Sequence, residues 1–291
     1  MGAGPGPVSG RAWRSAALAL GVGLGFSRLL GLARDMFFAG LLGGGLAADI
    51  FLAAFRLPHF ARRLLHEGAP ALAFIPAFVR EEAHGGRESA LAFGRAAWLE
   101  LVLAALLLSL AGAAAAGALA RMLLPGLSGE AALLEMTAGF IRLGLFYLPL
   151  AAGAATGSAL LMALGHYAAP ACAPLVLNLG LLAAGGLALL AGHSGSAAAE
   201  TLCLGLILGG LLQNAVQFMA ARGLRVRLAG RVSLTAPANL GFLRAMPPAI
   251  CGAAAHQLHM LAVTVAASFL HQGGISALYY AERLLELPVA L

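Results

Sequence analysis

The sequence lacks lysine and has few acidic side chains. All 18 basic residues among its 291 are arginine, and the 12 acidic residues include only two aspartates, Asp35 and Asp49. A P-loop nucleotide site needs a lysine on the phosphates, and pyridoxal catalysis needs a lysine Schiff base. Two aspartates are also too few for an aspartate-rich metal-diphosphate site. ATP-driven and aspartate–metal chemistry are therefore excluded, and neither a cofactor nor a metal is expected.

Cysteine is scarce as well. Cys172, Cys203 and Cys251 lie singly in apolar runs, without the paired spacing of a metal or redox site, and are predicted to be small hydrophobic residues. The net charge of +6 could suggest nucleic acid, but the arginines are scattered between apolar runs, so no nucleic-acid partner is expected. No convergent acid, base or nucleophile set is present, and the protein is predicted not to be an enzyme.

Charged residues make up only 10% of the chain, and hydrophobic residues make up 61%. Soluble domains contain about 25% charged residues, whereas a membrane-spanning helix needs about 20 mainly apolar ones. The composition therefore predicts an all-α, polytopic transmembrane helical bundle embedded among membrane lipids. About eight spans are expected, at 15–41, 46–66, 96–120, 138–164, 168–192, 201–221, 245–270 and 275–291.

The positions of the arginines predict the orientation of these spans. Twelve of the 18 arginines lie before the first span, near or between the second and third, or between the sixth and seventh, whereas the opposite loops contain only Arg121. Cytoplasmic loops carry the excess of basic residues, so the N-terminus is predicted to be cytoplasmic. A signal peptide after Arg11 and Arg14 is an alternative, but the apolar pattern resumes beyond Arg28, which favours a retained first span.

The basic connection between the sixth and seventh spans suggests two lobes. Residues 1–221 are expected to form a six-helix N-terminal lobe, 222–244 a basic cytoplasmic linker, and 245–291 the first part of a second lobe. This organisation is typical of a two-lobed transporter, whose substrate site lies between the lobes.

Charged residues inside the spans indicate where function lies, because each costs at least about 2.5–3.5 kcal/mol at a helix centre. At 100° per residue, Arg28 and Asp35 share one face of the first helix, and Asp49, Arg56 and Arg63 share one face of the second. The structural alternative is that these charges pair with each other and only hold the bundle together. Pairing alone explains them poorly, since five arginines face three carboxylates: Arg28, Arg34, Arg56, Arg62 and Arg63 against Asp35, Asp49 and Glu67.

The excess of arginine predicts an anionic ligand. A phosphate or diphosphate fits, because a guanidinium binds phosphate oxygens with two parallel hydrogen bonds and stays charged when desolvated. A second group of intramembrane charges lies in the last span, where Tyr279, Arg283 and Glu286 can share one face, with Glu286 orienting Arg283. A cavity between two lobes could then receive arginines from both walls.

These residues carry a family resemblance. The ordered segments that carry it are Phe26-Ser27-Arg28-Leu29-Leu30-Gly31-Leu32-Ala33-Arg34-Asp35, Asp49, Phe55-Arg56-Leu57-Pro58, Arg62-Arg63, Glu67-Gly68-Ala69, Ala73-Phe74-Ile75-Pro76 and Tyr279-Tyr280-Ala281-Glu282-Arg283-Leu284. They closely resemble the MurJ (MviN-type) lipid II flippases of the multidrug/oligosaccharidyl-lipid/polysaccharide exporter superfamily. The resemblance covers essentially the whole chain.

The resemblance implies that the protein moves lipid II, the undecaprenyl-diphosphate-linked disaccharide-pentapeptide, from the cytoplasmic to the periplasmic leaflet of the bacterial inner membrane by alternating access. It implies diphosphate binding by Arg28, Arg34, Arg62 and Arg283. Gating or ion pairing is expected of Asp35, Asp49, Arg56, Arg63, Glu282 and Glu286. The alternatives are an exporter of another polyprenyl-linked glycan or of amphipathic drugs, and a non-transporting membrane scaffold or membrane enzyme.

The sequence departs from the family pattern in places. His59, Glu282 and Leu287 stand where the family commonly has asparagine, aspartate and phenylalanine; glutamate keeps the charge, and the other two are expected to affect packing more than chemistry. Family members also have a complete second lobe and two further helices, so the chain is expected to be C-terminally truncated. His256 and His259, three residues apart, are interpreted as polar lining rather than as metal ligands.

Overall fold

The structure is a computed structural model that describes the backbone of residues 10–66, 69–226, 232 and 237–290. Side chains are not described at 10–20, 22–24, 65, 66, 69, 237, 238, 249, 253, 256 and 286–290. The described part consists of helices and turns without a strand, which confirms the all-α prediction. The α-helices are α1 (Gly10–Leu42), α2 (Leu46–His66), α3 (Ala69–Ala114), α4 (Ala116–Leu123), α5 (Ala131–Leu145), α6 (Tyr147–Ala163), α7 (Ala168–Leu190), α8 (Gly195–Gly223), α9 (Pro237–Ala267) and α10 (Gly274–Ala290).

Several helices of this bundle are long and apolar enough to cross a membrane. Among the described residues there are four such segments, or five if the two halves of α9, bent by 48°, form one span. The four are 70–114, 131–163, 168–190 and 195–223. The predicted count of eight is therefore approximate. α2 carries four charges within 21 residues, and α10 is only 17 residues long, so neither belongs to this apolar group.

The largest difference from the predicted organisation lies between the second and third spans. Residues 67–95 were expected to connect two spans, but α3 begins at Ala69 and runs through this charged segment. A break at Gly86 divides it, where φ is 75°, a backbone conformation that glycine adopts without steric cost. The first half of α3 thus packs within the bundle rather than forming a loop.

α7 and α8 approach each other through glycine. A Cβ atom added to Gly205 would lie 2.2 Å from Cβ of Ala184, and one added to Gly180 would lie 2.9 Å from Cα of Gly209. Small residues allow such close approach of two helix backbones, which increases the van der Waals contact between them. α1 packs against α7, so this pair supports the wall of the candidate site.

α9 packs against α3 at its N-terminal end. The ring of Phe242 lies 6.1 Å from that of Phe74 and 5.9 Å from that of Phe93, edge to face in both cases. Nearby, the side-chain amide of Asn239 donates to Glu100 at 3.1 Å. α9 begins at Pro237, seven residues before the predicted end of the linker. The division into an N-terminal lobe, a linker and a second lobe stays a prediction.

Candidate functional site

α1, α2, α7, α9 and α10 line a cavity of about 550 Å³. The four arginines predicted to bind diphosphate all contribute to its wall, together with the predicted residues Asp35, Arg63 and Glu282. They come from four separate segments of the chain: Arg28, Arg34 and Asp35 from α1, Arg62 and Arg63 from α2, and Glu282 and Arg283 from α10, with Asn178 added from α7. Within the described part of the chain, the cavity wall therefore carries five arginines and two carboxylates.

Arg34 is held by two partners from different helices. Its Nε and Nη2 atoms donate to Oδ1 of the adjacent Asp35 at 3.0 and 2.7 Å, and Nη1 donates to Oδ1 of Asn178 at 2.8 Å. The Asn178 amide in turn donates to the backbone carbonyl of Ser27 at 3.2 Å. These bonds connect α1 to α7 and fix one guanidinium in the buried wall, where burying a charge requires such partners.

Asp35 also connects α1 to α10. Its Oδ2 atom lies 3.3 Å from Nε of Arg283, and the Tyr279 hydroxyl donates to Oδ1 at 3.4 Å. The Arg283 guanidinium lies over the Tyr279 ring, 5.0 Å from the centroid, in a cation–π arrangement. The side chain of Glu286, predicted to orient Arg283, lies outside the described residues. Asp35 is thus the described carboxylate at ion-pair distance from Arg283.

Arg56 and Glu282 form an ion pair beside the cavity. Nη2 of Arg56 donates to Oε2 of Glu282 at 2.7 Å, and the two side chains are 9% and 18% exposed. The Arg56 guanidinium lies 5.3 Å from the centroid of Tyr279. Part of the intramembrane charge is therefore paired, as the structural alternative expected.

Arg62 differs from its neighbours. It is half-buried and lines the cavity, yet within the part of the chain that the structure describes it has neither a hydrogen bond nor an ion pair. The side chain of Glu67, counted above among the possible acidic partners, is not described. Pairing among the described charges thus leaves Arg62 as a cavity cation available to an anion.

Asp49 lies apart from the cavity wall, at the beginning of α2. Its Oδ2 atom accepts from the backbone N–H of Gly273 at 2.7 Å, and its Oδ1 atom accepts from that of Ser276 at 2.7 Å. A carboxylate at these amides satisfies donors at the start of α10 that have no helical partner. Gly273 has φ of 90°, and a Cβ there would lie 2.3 Å from the carbonyl oxygen of Gly44. The beginnings of α2 and α10 are therefore joined closely, at the end of the helix pair opposite Arg62 and Arg283.

His59 is a cavity residue that was not among the predicted site residues. It was expected to affect packing, but it lines the cavity, and its Nε2 atom lies 3.4 Å from Nη2 of Arg283. Its position, one helical turn before Arg62 and Arg63, was the signal that could have identified it. The side chain of His256 lies outside the described residues, and among those described no group of three or more His, Cys, Asp or Glu could hold a metal.

Comparisons with known proteins support the family resemblance. A family model described as lipid II flippase MurJ matches residues 38–291. "Probable lipid II flippase MurJ" of Rhizobium meliloti is 35% identical over 268 residues, which are 91% of this chain and 50% of that protein. "Lipid II flippase MurJ" of Burkholderia cenocepacia is 31% identical over 269 residues, 91% of this chain and 52% of that protein.

A solved structure is similar in fold. "Lipid II flippase MurJ, inward closed conformation" superposes with a TM-score of 0.76 at 21% identity, covering 94% of this chain and 56% of that one. The chain spans about half the length of the curated relatives it matches.

Proposed function

Since the chain belongs to the lipid II flippase MurJ family, we propose that it takes part in moving lipid II across the bacterial inner membrane. The lipid passes from the cytoplasmic to the periplasmic leaflet by alternating access, with the N-terminus of the protein in the cytoplasm. No bond of the substrate is made or broken in this process. The proposal is consistent with a chain that lacks the lysine of a nucleotide-hydrolysing site.

The arginine-lined cavity is the observation that carries the proposal. Among the described side chains, five arginines and two carboxylates leave an excess of positive charge in a wall where Asp35 and Glu282 already have arginine partners. A diphosphate compensates that excess, because each guanidinium can form two parallel hydrogen bonds with phosphate oxygens. Arg28, Arg34, Arg62 and Arg283 are proposed to bind the diphosphate. The bulk of the lipid tail and glycan would extend beyond a volume of about 550 Å³.

A liposome experiment tests the proposal. The purified chain, reconstituted with a fluorescent lipid II, is expected to bind it and to transfer it between leaflets, which dithionite quenching of the outer leaflet measures. Undecaprenyl diphosphate should compete for binding, whereas undecaprenol, which lacks phosphate, should not. The double variant Arg28→Ala/Arg283→Ala is expected to bind at least about tenfold more weakly, since a charge-assisted bond contributes about 1.5–3 kcal/mol.

Three outcomes would contradict the proposal in different ways. Competition by a cationic amphipathic drug but not by undecaprenyl diphosphate would favour the drug exporter. Stronger binding of another polyprenyl-linked glycan would favour the other exporter. Binding without transfer would restrict the role of this chain to holding the lipid.

Asp35, Asp49, Arg56, Arg63, Glu282 and Glu286 are proposed to act in gating or ion pairing. Asp49 is the best placed for a gate, because it joins the beginnings of α2 and α10 while the cavity arginines lie farther along both helices. In the proposed orientation, this contact closes the periplasmic end. Opening that end would require the two backbone N–H groups to lose their acceptor.

Replacing Asp49 by alanine is expected to speed amide hydrogen exchange at Gly273 and Ser276 by about 2- to 30-fold. The reason is that loss of a side-chain cap costs about 0.5–2 kcal/mol. Hydrogen-exchange mass spectrometry of the peptide that contains these residues measures the effect. Glu200→Ala, at an exposed glutamate, is the control and should leave this exchange unchanged. Lipid II affinity should stay near that of the wild type, and unchanged exchange in Asp49→Ala would remove Asp49 from the gate.

A further inference from the structure

His59 lines the cavity beside Arg283. Its Nε2 atom is 3.4 Å from Nη2 of Arg283, and a guanidinium has donors but no acceptor. A hydrogen bond in this contact requires Nε2 to accept, which the nitrogen can do only when it carries no proton. The ring also lies 6.0 Å from that of Phe55, which packs beside it on α2.

The surroundings of His59 are mostly cationic. Around the cavities that it lines, α1 and α2 contribute Arg28, Arg34, Asp35, Arg56, Arg62 and Arg63. α6 contributes Tyr147, and α10 contributes Glu282 and Arg283. Among the described residues, those that α7, α8 and α9 bring to these walls are uncharged. Around the ring, the side chains that the structure describes thus include six arginines and two carboxylates.

Both of these carboxylates already have arginine partners. Asp35 accepts two hydrogen bonds from Arg34, and Glu282 accepts one from Arg56. A positive charge on the imidazole would also face Arg283 at the distance where Nε2 now accepts. With these neighbours alone, a charged ring would therefore lose its hydrogen bond with Arg283 and would be repelled by the nearby arginines.

A bound diphosphate reverses this balance. It brings negative charge to the arginines and offers oxygen acceptors where the imidazole now finds only donors. A charged imidazole donates from both nitrogens, so Nε2 can turn from accepting from Arg283 to donating to a phosphate oxygen. The proton also compensates negative charge that the substrate carries into a largely apolar membrane region, where burying unpaired charge is costly.

We propose that His59 is a further ligand of the diphosphate and that binding of the anion is accompanied by uptake of one proton onto its imidazole ring. The inference rests on the proposed function, because it concerns the same cavity. The proton comes from water on the side to which the cavity is open and leaves when the lipid leaves. One proton is therefore bound with each lipid.

The proposal sets the sign of a pH dependence. The complex holds one more proton than the free protein, so affinity rises as pH falls and is lost as pH rises. The slope reaches about tenfold in affinity per pH unit within the range of histidine chemistry, about pH 5 to 8. A diphosphate that is substituted at both ends, as in lipid II, has no ionisable proton of its own near neutral pH. The pH dependence of the affinity is therefore assigned to a group on the protein.

Calorimetric titration of lipid II into the full chain, held in phosphatidylcholine nanodiscs, measures the proton directly. Comparing buffers that differ in ionisation enthalpy gives the number of protons taken up at each pH between 6 and 8. The wild type is expected to take up close to one proton and to lose affinity as pH rises. His59→Asn keeps an acceptor for Arg283 but cannot titrate, so it should bind with an affinity that does not change with pH. His271→Asn, at an exposed histidine outside the cavity, is the matched control and should behave as the wild type.

The outcomes separate this proposal from the one on which it rests. Absence of lipid II binding to the wild type would overturn the proposed function and this inference with it. Binding without proton uptake, at constant affinity across the pH range, would overturn the role of His59 alone. Proton uptake that persists in His59→Asn would assign the proton to another group and also overturn it.

Discussion

Breaking the ion pair between Arg56 and Glu282 is expected to destabilise the protein by about 3–5 kcal/mol. The reason is that removing one partner leaves the charge of the other mostly buried and uncompensated. Arg56→Met is the better probe, since methionine keeps much of the aliphatic length that packs near Tyr279. Glu282→Leu is its counterpart on α10. Unfolding of the purified chain in mixed micelles, followed by circular dichroism, measures both single variants.

The double variant is the decisive comparison. Replacing both partners by apolar residues removes both desolvation costs, so Arg56→Met/Glu282→Leu should be about as stable as the wild type. Arg87→Met provides the control, because its pair with Glu82 is 3.6 Å long and its side chains are 57% and 39% exposed. An exposed pair contributes about 0–1 kcal/mol. Equal losses in Arg56→Met and Arg87→Met would show that the intramembrane pair does not stabilise the bundle.

Sequence patterns predicted the helices around the site well. α1, α2 and α10 begin and end near the predicted bounds, and the four arginines predicted to bind diphosphate reach one cavity. The reason is that intramembrane arginine is costly and rarely tolerated away from a polar wall. The spacing of charged residues within each helix was therefore informative about which side chains of that helix line the cavity.

The partners of these side chains could not be predicted in the same way. Arg56 and Glu282 are 226 residues apart, Arg34 and Asn178 are 144 apart, and Asp49 accepts from amides more than 220 residues away. Helical periodicity relates residues three, four or seven apart, so it is silent on contacts between helices. Asp35 lies at ion-pair distance from Arg283, a contact that the spacing within the last span could not indicate. The predicted orientation of Arg283 by Glu286 concerns a side chain outside the described residues and stays a prediction.

The segment before the third span shows a second limit. Arg80, Glu81, Glu82, Arg87 and Glu88 interrupt the apolar pattern there, and the pattern was interpreted as a connection. Charges on a helix outside the membrane do not oppose helix formation, since arginine and glutamate both favour helices. Only the break at Gly86 reflects a backbone requirement. Hydropathy predicted where the chain can enter a membrane, not where its helices begin.

The absence of a described partner for Arg62 leads to the second large prediction. Arg62→Ala is expected to lower the affinity for lipid II by about 10- to 150-fold, the equivalent of one charge-assisted contact of about 1.5–3 kcal/mol. Stability should be unchanged, because among the described residues no hydrogen-bond or ion-pair partner is left unsatisfied by the substitution. Lipid titration in nanodiscs and thermal unfolding measure the two quantities.

Arg34→Ala is the matched comparison, since Arg34 lines the same cavity but holds Asp35 and Asn178. It is expected to lose stability as well as affinity, because Asp35 would lose two of its hydrogen bonds in a buried position. A loss of affinity without a loss of stability in Arg62→Ala is specific to a residue whose charge serves a ligand. If Arg62→Ala instead bound lipid II with wild-type affinity, Arg62 would not be a ligand of the diphosphate. A loss of stability equal to that of Arg34→Ala would make Arg62 a structural residue.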